Sequence, residues 1–68
     1  MFSKNLKRLR ESKGMSQAEL ARAVGVHPSM ISLLESGATK PAYDTLLAIL
    51  LALGVTLEEL EPVSTTAT

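Results

Sequence analysis

The sequence predicts an all-α fold, a compact bundle of five short helices, and three observations predict it. Apolar residues recur at three-to-four spacing through the chain, the period of a helix with one buried stripe. Residues suited to helix starts precede these stretches (Ser3, Ser16, His27-Pro28, Thr56), and glycines suited to helix ends follow them (Gly14, Gly25, Gly37, Gly54). Within Ser16 to Gly37, two such helices are joined by a turn containing Gly25, which is the pattern of a helix-turn-helix.

Helix one is expected from about Ser3 to Lys13, with Ser3 as its cap, Leu6 and Leu9 inward and Gly14 as its stop. Helix two, Gln17 to Val24, opens with Ser16 and Glu19 three residues apart. That is the spacing at which a hydroxyl and a carboxylate satisfy two orphan N–H groups reciprocally, with Met15 and Leu20 placed as a hydrophobic staple. Helix three, Pro28 to Ser36, has His27 at the cap position and Pro28 at the first helical position, where a missing N–H costs nothing. Val26 and Ile31 form its staple, and Ile31 and Leu34 point inward. His27, Pro28, Ser29, Ser32 and Leu33 are left on the outside, with Met30 at the flank.

Helix four is expected from about Tyr43 to Leu53, with Tyr43, Leu46, Ile49, Leu50 and Leu53 inward. Leu47, Ala48 and Leu51 then fall on or near the outer side. A helix apolar all round is normally buried all round, so on a domain this small the cover must come from another chain. Val55, Thr56, Glu59 and Leu60 repeat the cap, box and staple pattern for a short acidic helix five, Leu57 to about Glu61. Residues 1–61 read as one domain and 62–68, small and polar after Pro62, as a flexible tail.

Composition narrows the function. With 68 residues and no cysteine, disulfides, thiolate metal sites and thiol nucleophiles are absent. His27 is the single histidine and makes no credible metal site, so neither metal nor cofactor is expected. No acid–base pair, nucleophile with a positioned base or phosphate loop appears, which argues against an enzyme. No signal peptide is visible, and the longest apolar run, Leu46 to Leu53, falls far short of the ~20 residues that span a bilayer. A cytoplasmic protein without membrane contact is the expectation.

Net charge is zero, but its distribution is not even. All seven bases (Lys4, Lys7, Arg8, Arg10, Lys13, Arg22, Lys40) lie in the first forty positions against three acids, a local net charge of +4. From Pro41 onward there are four acids and no base, a net charge of −4. Such a polarised domain offers one face to phosphates and turns its acidic end away.

The segments LKRLRESKGMSQAELARAVGV, the I-x-x-L-E-x-G run at Ile31, Leu34, Glu35 and Gly37, and the closing LGVTLEEL together resemble the phage repressor and Cro-like helix-turn-helix family. The resemblance extends from Leu6 to Leu60. It implies a lambda-repressor-like DNA-binding domain in which helix three enters the major groove. It also implies that Arg10 pairs with Glu35, tying helix one to the end of helix three, and that Gln17 contacts the DNA backbone. Two departures stand out. Helix three carries no arginine, glutamine or asparagine, the usual bidentate base readers. At Ala48 and Leu51 the family often has lysine.

The expected function is therefore sequence-specific binding of double-stranded DNA by a homodimeric transcription regulator on a palindromic operator. His27, Pro28, Ser29, Ser32 and Leu33 are the expected base-reading residues; for His27 a phosphate contact or simple capping stays open. Lys7, Arg10, Ser16, Gln17, Thr39, Lys40 and Tyr43 are expected at phosphates, with the Tyr43 ring more readily placed in the core. The expected two-fold seam is Leu47, Ala48, Leu51, Val55 and Glu58. The alternative is a protein-interaction module, such as an antitoxin or a dimerisation domain, whose contact surface would include Met30, Leu33 and the outer side of helix four.

Overall fold

The computed structural model describes residues 2–61. Five helices follow in order: α1 (Phe2–Ser12), α2 (Gln17–Val24), α3 (Pro28–Ser36), α4 (Tyr43–Leu53) and α5 (Leu57–Leu60), with no strand among the described residues. The expected tail, 62–68, lies outside them.

The core takes one or two residues from every helix: Leu6 and Leu9, Leu20 and Ala21, Ile31 and Leu34, Ile49 and Leu53, and Leu60. The pairs in α1, α3 and α4 are three or four apart, so each helix buries one stripe, as its periodicity requires. α3 packs on both α1 and α2, α2 on α4, and α1 on α5. Six side chains are fully enclosed (Leu6, Leu20, Ile31, Leu34, Ile49, Leu60). Truncating any of them to alanine is expected to cost about 2–5 kcal/mol, a large share of the stability of a domain this small.

Local chemistry sets the helix starts. At α2, Ser16 Oγ accepts the Glu19 N–H at 3.0 Å and Glu19 Oε1 accepts the Ser16 N–H at 2.7 Å, a reciprocal box. Thr56 and Glu59 repeat it at α5. At α3, His27 Nδ1 accepts the Ser29 N–H at 3.1 Å. Between α2 and α3 the chain reverses at Gly25, whose φ of 88° is left-handed and strained for any residue with a Cβ. The Gly25 and Val26 N–H groups both donate to the Ala21 carbonyl, at 2.8 and 3.0 Å, which closes the last turn of α2.

Three expectations need correction. Ser3 is not a cap: α1 already includes Phe2, whose half-buried ring packs against the core and draws the helix one residue further out. Tyr43 is not in the core but 72% exposed. Among the described residues no partner meets its hydroxyl, and exposure keeps that group hydrated where burial would strand it. Finally, Val55 packs partly against the core, which reduces what it can offer an outer seam.

The sequence reading did not find the bond that closes the two ends of the domain. Asn5 Nδ2 donates to the carbonyl of Leu60 at 2.8 Å, joining α1 to the last turn of α5.

Candidate nucleic-acid interface

α3 presents two contrasting sides. Ile31 and Leu34 are wholly buried and anchor it to α1 and α2, while His27, Pro28, Ser29, Ser32 and Leu33 are all exposed. The expected base-reading residues thus share one open surface. Leu33 is 45% exposed at its centre, an apolar projection among small polar neighbours. Met30 is half-buried against the core and stands at the edge. His27 is exposed and caps its helix.

The orientation of α3 is held by a buried ionic cluster. Arg10 Nε donates to Glu35 Oε2 at 2.6 Å, Nη2 to Glu35 Oε1 at 3.1 Å and Nη1 to the Met15 carbonyl at 2.6 Å. Side-chain exposures of 9% and 4% place this forked pair out of water. The hydrogen bond from Glu35 raises the Arg10 pKa, against burial, which lowers it. One fork therefore connects α1, the end of α3 and the loop before α2. The role of Arg10 at phosphates is corrected by this geometry: its donors are spent on Glu35 and Met15, so it fixes α3 against α1 instead.

Gln17 belongs to the same cluster. Its Nε2 donates to Glu35 Oε1 at 3.1 Å, which fixes the amide beside the last turn of α3. A phosphate at this point would meet the second amide hydrogen and the free backbone N–H groups of Gln17 and Ala18. Ser16 and Glu19 satisfy each other within the box, leaving only the Ser16 hydroxyl proton on offer. The box also holds the Glu19 carboxyl below the ordinary carboxylate range, through its hydrogen bonds with the Ser16 backbone and side chain.

A second polar group borders the C-terminal end of α3. Thr39 and Lys40 line a shallow cleft with Phe2, Ser3, Gly37 and Glu61. The Ser3 side chain lies close enough to Gly37 that a Cβ there would come within 3.6 Å of its hydroxyl. Lys7 shares the α1 stripe of Ser3 and Arg10, one turn from each, and is exposed. Lys40 also has an acidic neighbour in Glu61, across a cleft lined by Phe2, Pro41, Leu46 and Leu57. Tyr43 is exposed at the first turn of α4.

Away from the reading surface, α4 carries an uncovered apolar strip. Leu51 is 85% exposed, Leu47 is exposed and Ala48 half-buried. Leu57, within the Val55 to Leu60 region that the sequence places at the expected seam, is also exposed. Glu58 is exposed beside it.

Two capped helices around a glycine turn, the second buried on one side and open on the other, define a helix-turn-helix protein. A helix-turn-helix family model matches residues 6–60, and the chain belongs to that family, the Cro/C1-type DNA-binding transcription regulators. It is 37% identical over 60 residues to the HTH-type transcriptional regulator YqaE of Bacillus subtilis, covering 88% of this chain and 52% of that protein. It is 44% identical over 48 residues to an HTH-type transcriptional regulator of Haemophilus influenzae, covering 71% of this chain and 49% of that one. The chain thus spans about half the length of these curated relatives.

Among solved structures it is similar to the restriction-modification controller protein C.AhdI of Aeromonas hydrophila. The TM-score is 0.83 at 32% identity, over 87% of this chain and 89% of that one. A chain of the SinR protein/SinI protein complex matches with a TM-score of 0.84 at 28% identity, over the whole of this chain and 67% of that one. Among the described residues, no helix is long and apolar enough to cross a membrane.

Proposed function

We propose that the chain binds a palindromic double-stranded DNA operator as a homodimer, in the cytoplasm, and regulates transcription from it. The observation that carries this reading is α3: its inner residues are fully buried and its outer five are all open, so the helix can enter a major groove without disturbing the core. Lys7, Thr39, Lys40, Tyr43 and the start of α2 are the phosphate partners in this reading. Leu47, Ala48, Leu51, Glu58 and the partly covered Val55 form the two-fold seam. The two copies of α3 then stand about one DNA turn, ~34 Å, apart.

Without bidentate readers, direct discrimination is modest, and DNA deformability supplies much of the specificity. Whether the outcome is repression or activation depends on where the operator lies.

Titration of a selected duplex over a salt series tests the reading. Affinity should fall steeply with salt, with a slope of about −0.9 per phosphate neutralised. Ser32→Ala and Leu33→Ala should change preference among operators, whereas Lys40→Ala should weaken all of them alike. If none of the three substitutions alters affinity, α3 is not the reader.

A second reading, a protein-interaction module, draws support from the exposed Leu33 and the leucines of α4, and from similarity to a chain solved in a protein–protein complex. Salt-independent, weak duplex binding would favour it.

A further inference from the structure

His27 and Ser29 are each chemically ambivalent. A neutral imidazole has one donor and one acceptor nitrogen that exchange with the tautomer, and a serine hydroxyl both donates and accepts. In this structure each ambivalence is resolved by the other residue. The Ser29 backbone N–H donates to His27 Nδ1 at 3.1 Å, and an amide N–H can only donate, so Nδ1 carries a lone pair and no proton. The ring proton is therefore on Nε2.

Ser29 Oγ lies 2.9 Å from the same Nδ1. Because that nitrogen has no proton to give, the hydroxyl at this distance can only share its one lone pair with the backbone N–H, an arrangement that leaves the lone pairs of Oγ to face outward. Both residues are exposed, and Pro28 between them fixes the backbone at the first position of α3.

We propose that His27 and Ser29 act as a polarised pair of specificity-determining residues, His27 Nε2–H as an obligate donor and Ser29 Oγ as an obligate acceptor toward base edges in the major groove. His27 then selects an acceptor there: a purine N7, guanine O6 or thymine O4. Ser29 selects an exocyclic amine: adenine N6 or cytosine N4. The pair divides between two residues the donor-and-acceptor pattern that a single asparagine or glutamine amide would carry, and that α3 lacks. It rests on the proposed entry of α3 into the groove.

The test has a DNA-free arm and a DNA arm. Long-range proton–nitrogen NMR of the neutral ring in the intact chain should show the Nε2–H tautomer; the Nδ1–H tautomer would overturn the proposal. In the DNA arm, bound duplexes are selected from a random pool with wild type, His27→Ser and Ser29→Ala. Serine is itself a good helix cap, so His27→Ser should keep the fold while removing the outward donor.

Ser29→Ala should lose preference at one base pair per half-site by roughly 3- to 10-fold, the worth of one net hydrogen bond, whereas His27→Ser should lose it at a second base pair and, by freeing the Ser29 hydroxyl proton, relax the first as well. Preference elsewhere should be kept. If wild type selects a site and His27→Ser weakens all sequences equally, the imidazole meets a phosphate and the pair is refuted while groove entry stands. If wild type selects no site, groove entry itself fails, and the proposal with it.

Discussion

Leu51 separates what holds the domain together from what joins two domains. At 85% exposure it gives the isolated fold almost no buried area, so Leu51→Lys should leave the helical circular dichroism signal and the monomer's melting midpoint nearly unchanged. In a two-fold seam both copies of Leu51 are covered at once. Covering one leucine side chain is worth about 1.5–3 kcal/mol, and most of that area is available here, so the symmetric pair contributes roughly 2.5–5 kcal/mol to association.

At 1.4 kcal/mol per decade, losing it weakens the dimer by about a hundred- to several-thousand-fold, before counting the cost of bringing two ammonium groups together. Sedimentation equilibrium over a concentration series reads this directly. An unchanged dissociation constant removes α4 from the seam. Loss of helical signal would show instead that Leu51 belongs to the fold.

The ionic cluster behaves differently from a surface pair. Glu35→Ala leaves the Arg10 guanidinium buried without its carboxylate and should cost about 3–5 kcal/mol in urea unfolding, whereas replacing both residues with apolar ones should recover most of that loss. Asn5→Ala should lower stability by about 1–2 kcal/mol and speed amide exchange in α5, because the Leu60 carbonyl loses its donor.

The Glu19 carboxyl is held below its ordinary value of 4.5 in the folded state, so the unfolded chain binds more protons between the two values. The capping contribution is fully present above pH 4.5 and is lost as pH falls through the depressed folded value; Glu19→Gln should flatten that part of the melting-temperature profile. A profile unchanged by this substitution would place the acid sensitivity elsewhere.

What was legible in the sequence depended on how far apart the cause and the effect lie in the chain. The boxes at Ser16–Glu19 and Thr56–Glu59 act across three residues, so residue type and spacing were enough to read them. The stripe of α3 was legible for the same reason, since Ile31 and Leu34 are one turn apart. Arg10 had two readings, phosphate contact or partner of Glu35, and the choice between them was a matter of burial, which α3 packing on α1 decides. Tyr43 went astray because its cover would have had to come from another element. The Asn5–Leu60 bond spans 55 positions and has no local signature at all.

The outer residues of α3 divide by the same criterion of reach. Ser32 and Leu33 lie on the open side and outside the buried core, so they are free to change at little cost to stability. His27 is not free in that way. Its exposed imidazole satisfies an N–H at the start of α3, so a substitution there alters the stability of that helix and its outward chemistry together. Replacements that keep a side-chain acceptor within reach of that N–H, serine, asparagine or aspartate, preserve the cap and change only the outward chemistry. Apolar replacements should lose both, at about 0.5–2 kcal/mol for the cap alone. The set of residues tolerated at position 27 is therefore narrower than at position 32 or 33, for a reason that lies in the start of the helix and not in the DNA.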